Sequence, residues 1–499
     1  MSQAGLRSKA AAALAPLDRP LTSYYLIIGT TGLLLALGLV MVLSTSSAIQ
    51  LESGLSPYSD FTKQLLGVAV GLPAMWLLSR ARPAFFRAVA SPVMLLAIVG
   101  LTLVLVFGIT VGGGERWISV GGLRIQPSEF AKFAFCVWGA DLLARKEKLG
   151  QLNDWRTLLL PLLPGAALLG MLVMLGDDLG TTFVLLLILL ALLWVIGTPG
   201  RMFGAMLGLI GFMLLLLIVA ANYRSARITG FLNPTLTNDW QLIQGKYAIG
   251  SGGWFGSGLG DSAQKWGWVP NPSTDFIFAI LGEELGLIGT TCLVLLYGGL
   301  AYAGLRIARR VTDPFMRLAS SAATAWIVGQ ALVNIGAVVG LLPITGVPLP
   351  LISEGLSSLL VTMVTIGMLL SFARQEPGAS QALAARSRPG LSPWLRVRSR
   401  LADPGSQGIR RPDGPRRDGS RQGGPRRDGP RRDGPRTDGQ RRDGPRRDGP
   451  RQRQATGSAP QRLGSSAGLR PGTGAQRTRH GGASGDWRPG WAARPPGPH

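Results

Sequence analysis

Apolar residues along this chain gather into blocks near 24–46, 62–79, 88–110, 128–144, 157–175, 180–197, 202–222, 276–305, 316–340 and 356–374. Each is close to the roughly 20 residues that a helix needs to cross a bilayer. The pattern predicts an all-α polytopic membrane protein with ten transmembrane helices. On the opposite side from the chain's N-terminus it leaves connections at 47–61, 111–127, 176–179, 223–275 and 341–355. The connection between helices seven and eight, 223–275, is far longer than a simple link, and loops of that length inside a compact domain usually carry function.

Charge orients the pattern. Arg7, Lys9 and Arg19 precede the first block and no small-residue cleavage site follows it. The block therefore reads as helix one behind a cytoplasmic segment 1–22, rather than as a removable signal. With the N-terminus inside, the inner connections hold Arg80, Arg82 and Arg87, then Arg145, Lys146, Lys148 and Arg156, then Arg201, then Arg306, Arg309, Arg310 and Arg317. That distribution obeys the positive-inside rule. It makes 23–375 a membrane domain and 376–499 a cytoplasmic tail.

The tail carries 27 arginines against ten acidic residues, seventeen of the chain's net +24. Eight pentapeptides from Arg411 to Pro450 vary around Arg-Arg-Asp-Gly-Pro. Such a segment lacks the apolar residues for a core and is expected to be disordered. It reads either as a solvated tail or as an electrostatic tether to anionic lipid. An aspartate in nearly every repeat and the lack of a folded motif argue against nucleic acid. Cys136 and Cys292 both fall within predicted spans, where they read as small apolar side chains.

The candidate chemistry lies in the outer connections. The 223–275 loop combines Trp240, Trp254, Trp266 and Trp268 with Arg224, Arg227, Lys246 and Lys265. Aromatic faces suit sugar rings or a membrane interface, and the cations suit phosphate. The same composition also describes an amphipathic helix lying on the bilayer. Its glycines at 250, 252, 253, 256, 258 and 260 lack the βαβ setting of a dinucleotide site. They serve either close backbone approach to a ligand or a tightly packed turn. Before the fourth block, Pro127 suits a first helical turn, and Glu129 and Lys132 are spaced to pair on one face. "NPSTDFIFAILGEELG" (271–286) carries three carboxylates. Asp275 falls at the outer edge, either as a cap residue of the first turn or as a general base toward a hydroxyl. Glu283 would lie about 80° around the helix and about 12 Å deeper, and Glu284 opposite Asp275. Both are expected to hold the bundle together by pairing with basic groups such as Lys132.

The blocks "ERWISVGGLRIQPSEFAK", "DLGTT", "YRSARITGFLNP", "AIGSGGWFGSGLGDSAQK", "STDFIFAILGEELG" and "QALVNIGAVVGLLPITGVPLPLIS" occur in this order. Together, from about Ser23 to Ala373, they resemble the SEDS family of cell-wall glycosyltransferases, and the opening span and long basic tail are more similar to its cell-division branch (FtsW) than to its elongation branch (RodA). The resemblance implies polymerisation of lipid II into β-1,4-linked glycan on the outer face of the cytoplasmic membrane, at the septum, with loss of undecaprenyl pyrophosphate. Asp275 matches the family's catalytic aspartate, with the implied role of general base. The matching blocks make Arg116, Trp117, Gln126, Ser128, Glu129, Lys132, Asp178, Arg224, Gln264 and Lys265 the candidate substrate-binding residues, among which Lys132, Arg224 and Lys265 are candidate cations for the leaving pyrophosphate. Also implied are a class B penicillin-binding transpeptidase and other divisome proteins as partners, and a divalent cation, Mg or Mn, near the pyrophosphate. Three positions depart from the family pattern: Ser273 replaces a histidine, Gly176-Asp177 replaces Gln-Pro or Glu-Pro, and Glu354-Gly355-Leu356-Ser357 replaces Tyr-Gly-Gly-Ser. The rival readings are a lipid flippase that depends on Glu283 and Glu284, and a non-enzymatic divisome scaffold in which Asp275 only caps a helix.

Overall fold

The computed structural model of the protein describes residues 20–52, 54, 56–111, 114–120, 123–150, 160–219, 240–379 and 381–382. The Arg-rich repeats, Arg224 and the segment before Pro20 lie outside these residues.

Every apolar block coincides with a helix. In chain order these are α1 (Thr22–Glu52), α2 (Ser59–Leu78), α3 (Pro83–Phe107), α4 (Pro127–Lys148), α5 (Leu162–Leu175), α6 (Leu179–Val195) and α7 (Gly200–Val219). A short α8 (Trp240–Ser251) follows within the long connection, then α9 (Ile277–Arg310), α10 (Pro314–Val338) and α11 (Leu356–Ala373). Among the described residues, six helices (α1, α2, α3, α9, α10 and α11) are long and apolar enough to cross a membrane, and α5 and α6 are shorter apolar helices. α4 falls short by composition, since Glu129, Lys132, Asp141 and Arg145 lie on it.

The expectation of an all-helical chain needs one correction. Residues 109–125 form a three-stranded antiparallel sheet, β1 (Ile109–Val111), β2 (Gly114–Val120) and β3 (Leu123–Ile125), in the order β1-β2-β3. Thr110 pairs with Glu115 and Ser119 with Arg124. The "ISVGGLRI" run alternates β-branched residues around a Gly-Gly turn, a hairpin signal of its own.

Small residues let the helices approach. Gly67 and Gly71, four apart on α2, face Leu356, Leu359 and Met363 of α11, and a side chain at either would collide with them. Close packing through such small-residue pairs is how helices associate where lipid supplies no hydrophobic drive. One end of the bundle is tied by charge. Arg87 pairs with Asp141 at 3.2 Å and Arg317 with Glu147 at 2.8 Å. Arg306 reaches Ser23 at 2.6 Å and Glu376 at 2.8 Å, both buried, so the chain just after α11 still packs against the bundle.

α9 is broken. Gly286 has φ 64° and ψ −162°, which splits the helix within "GEELGLIG". The glycine-rich segment after α8 fills the gap. Ser257 and Gly258 donate to the carbonyls of Glu283 and Glu284 (2.9 and 3.1 Å), while Leu287 and Ile288 donate to those of Gly253 and Trp254 (3.0 and 3.3 Å). The backbone groups that the break would orphan are thereby paired, as a hydrocarbon setting demands. Gly252, Gly256 and Gly286 allow this approach, because a Cβ on any of them would overlap the opposing main chain. The glycine run is thus a packed crossing. Replacing Gly252 by Ala should lower the thermal midpoint in detergent, at a cost of about 1–3 kcal/mol from overpacking. Gly250→Ala, two residues away with open space around it, should leave the midpoint nearly unchanged.

Candidate functional site

Asp275 stands two residues short of its helix. α9 begins at Ile277 and its N-cap is Phe276, which makes no side-chain cap bond, so Asp275 is not the capping residue that the sequence allows. The approach is a turn: Asn271, at φ 52°, accepts through its carbonyl from the N–H groups of Thr274 (3.2 Å) and Phe276 (3.3 Å). The three carbonyls leading into the helix are then each held by a different donor. Glu354 N–H donates to Ser273 O (2.9 Å), Ser353 Oγ to Thr274 O (2.6 Å) and Asn334 Nδ2 to Asp275 O (2.8 Å). Asn334 Nδ2 also donates to Val347 O at 2.8 Å. One turn earlier on α10, Gln330 Nε2 donates to Pro348 O at 2.8 Å. Two buried amides on one helix face therefore fix the 347–348 strap that, with Ser353 and Glu354, grips the Asp275 segment. A small recess opens here, lined by Asp275, Asn334, Thr345, Gly346 and Val347. Asp275 is half-buried, and Asn334, which also lines the recess, keeps a buried Oδ1 without a hydrogen-bond partner.

A second cluster centres on Asp178, which is buried and N-caps α6 by accepting from Thr181 N–H at 3.0 Å. It also accepts from Ser128 Oγ (3.0 Å) and Gln126 Nε2 (3.1 Å), and Arg116 Nη1 lies 3.6 Å away. Asp177 takes the left-handed conformation (φ 57°) that turns α5 into α6. Arg116 comes from β2 and keeps about a fifth of its side chain exposed. Trp117, its neighbour on the strand, points to the other sheet face and is half-buried. Gly180 packs against Thr345 O and Val347, where a Cβ would not fit, so the start of α6 abuts the strap that lines the Asp275 recess. The sequence candidates Arg116, Gln126, Ser128 and Asp178 are thus gathered beside the Asp275 strap.

Other candidates lie elsewhere. Lys132 is fully buried, pairs with Glu129 at 2.6 Å and donates to Gln330 Oε1 at 2.8 Å, which also accepts from Trp326. Glu129 and Lys132 therefore pair with each other as their spacing predicts, and lock α4 to α10. The expected pairing of Glu283 and Glu284 with Lys132 does not occur. Glu283 accepts from Ser262 Oγ and from Ala263 N–H at 3.0 Å. Glu284 takes Lys265 at 3.3 Å together with Ser44 of α1. The reason is the break at Gly286, which brings residues 260–265 over the glutamates. Lys265, 3% exposed, also donates to Gly260 O and Ser44, so its ammonium is spent within the fold. Gln264 is adjacent, with its Oε1 buried and unpartnered. Cys136 and Cys292 are free thiols. Among the described residues, no three of His, Cys, Asp or Glu come together as a metal-ligand set.

Residues 24–377 match the model of the FtsW/RodA/SpoVE cell cycle proteins. Relatives include a "probable peptidoglycan glycosyltransferase FtsW" of Mycobacterium tuberculosis, 43% identical over 76% of this chain and 73% of its own. "Stage V sporulation protein E" of Bacillus subtilis is 38% identical over 70% of this chain and 96% of its own. Among solved structures, a chain from work on the "structural coordination of polymerization and crosslinking by a peptidoglycan synthase complex" aligns with TM-score 0.58 and 26% identity, over 70% of this chain and 96% of that one. The rod shape determining protein RodA of Thermus thermophilus aligns with TM-score 0.52 and 27% identity, over 70% and 96%. With the broken helix, the gripped aspartate and a family match across nearly the whole membrane domain, the chain belongs to the FtsW/RodA/SpoVE, or SEDS, family.

Proposed function

We propose that this chain is a peptidoglycan glycosyltransferase that polymerises lipid II during septal wall synthesis. The observation that carries the reading is Asp275: a half-buried acid, outside its helix and lining a recess, whose main chain is held by Asn334, Ser353 and Glu354. Such a group is preorganised and reachable, as a general base has to be. It would take the proton from the acceptor sugar's 4-hydroxyl as that oxygen attacks the donor's anomeric carbon. The bond from that carbon to the pyrophosphate oxygen breaks, the anomeric centre inverts, and undecaprenyl pyrophosphate leaves. Arg116, the partly exposed cation of the Asp178 cluster, suits the charge that develops on the pyrophosphate. Arg224 is a second candidate for that role. A divalent cation, Mg or Mn, has no ligand set among the described residues, and these steps do not use one.

On this reading ten helices cross the membrane, the Arg-rich end of the bundle and both termini are cytoplasmic, and the Asp275 recess faces outward. The long connection 223–275 lies outside, and the Arg-rich tail beyond the buried Glu376 lies inside. The partner is a class B penicillin-binding transpeptidase, joined by other divisome proteins, with the lipid substrate reaching the site through the membrane. A flippase dependent on Glu283 and Glu284 is less favoured, because both carboxylates are engaged by Ser262, Ala263, Lys265 and Ser44.

Glycan formation from lipid II by the purified chain with its transpeptidase partner is the first test. Asp275→Asn should lose about 10²–10⁴-fold in rate while keeping its melting temperature, since the N-cap position of α9 belongs to Phe276. Equal polymer from both forms would move catalysis away from Asp275, and no polymer from either, with the complex intact, would leave the flippase and scaffold readings. Arg116 and Lys265 should separate in the same assay. Arg116→Ala should lower kcat by about 10²–10³-fold, the order expected for one charge-stabilising donor lost, with the protein still folded. Lys265→Ala should instead destabilise the fold by about 3–5 kcal/mol, by leaving Glu284 buried and unpaired.

A further inference from the structure

Glu354 is the one acid in the "PLPLISEGLSS" connection, and the catalytic scheme above does not use its side chain. Its N–H donates to Ser273 O at 2.9 Å, and its carboxylate stands beside the Ser273 side chain, which favours the ionised form. The connection cannot swing away easily. Gln64 of α2 donates to Ser353 O (3.2 Å) and accepts from Gly355 N–H (3.3 Å), bracketing Glu354 on both sides. The charged groups that face it are Asp60 and Lys63 from α2 and Arg124 from β3. Asp60 is itself bound by Lys63 at 2.8 Å and by Gln50. Burial, and after it Asp60, push the Glu354 carboxyl above the usual glutamate range; the Ser273 side chain, Lys63 and Arg124 oppose this without cancelling it. Two departures noted in the sequence, Ser273 and Glu354, are therefore a single contact, two residues from Asp275.

We propose that Glu354 is a positioning residue for Asp275, its ionised carboxylate acting through Ser273 to hold the main chain that presents the base. Ionised, it accepts a charge-assisted bond from the Ser273 hydroxyl, stronger than the neutral bond left after protonation. The hold is thus present at neutral pH and lost as pH falls. Because the carboxyl sits above the ordinary range, the loss begins at a higher pH than for an ordinary glutamate. This inference rests on the polymerase reading with Asp275 as base.

The test is the pH profile of glycan polymerisation from lipid II by the full chain in complex with its transpeptidase, for wild type, Glu354→Gln and Ser273→Ala. Wild type should lose kcat on the acid side above the usual glutamate range. Both variants should shed that limb, moving the acid edge to lower pH. Their plateau kcat should fall by about three- to tenfold with KM within about twofold, as expected of a displaced rather than a missing base. An acid limb that stays in place in a folded Glu354→Gln protein overturns the proposal, as does a rise in KM at unchanged kcat. If Glu354→Gln does not fold, Ser273→Ala decides by the same criteria. A wild type that makes no polymer at any pH overturns the polymerase reading and this inference with it, whereas an active wild type with unmoved limbs overturns this inference alone.

Discussion

A polar group inside hydrocarbon has to find its partner within the protein, because neither water nor lipid will supply one. Most of the internal architecture follows from that constraint. Where α9 breaks at Gly286, the four backbone groups exposed by the break are taken up by residues 253–258. The crossing brings 260–265 over Glu283 and Glu284, whose carboxylates in turn order the loop through Ser262, Ala263 and Lys265. Ser44 joins the same group and fastens α1 to it. A short half-helix, anchored in this way at its C-terminal end, leads back to Asp275 at the other.

The same constraint sets the difference between the two polar clusters near that aspartate. Asp275 is placed by its backbone, gripped from α10 and from 347–354. Asp178 is the opposite case. Its oxygens are committed to Thr181, Ser128 and Gln126, with Arg116 close by, and its work is to join the sheet, α4 and α6. Arg116 belongs between these roles, half structural through Asp178 and half exposed to whatever anion arrives.

Loss of free side-chain motion also separates structural cations from binding ones. Lys132 and Lys265 are buried against carboxylates and amides, where removing either partner strands a charge. Spacing from Glu129 marked Lys132 as structural, but nothing near Lys265 in the sequence did so, since a lysine in a polar block reads the same whether it faces a ligand or a carboxylate of the fold.

The positions of the helices, the basic end of the bundle and the singular place of Asp275 were legible in the sequence. Apolar block length, arginine placement and a carboxylate at a span edge are local properties, set by the thickness and dielectric of the bilayer. The Glu129–Lys132 pair was legible for the same reason, being one helical turn. The polar pair Gln330 and Asn334, four apart in an apolar helix, was a readable signal of an inward polar face that passed without notice, and "ISVGGLRI" was a readable hairpin. What only the tertiary structure decided is which distant groups meet: Glu284 with Lys265 rather than Lys132, Ser353 and Asn334 with the carbonyls before α9, and Glu354 with Ser273. Such pairings depend on where Gly286 breaks a helix and how closely glycines let another segment approach, and those are properties of packing between segments that one-dimensional spacing does not contain.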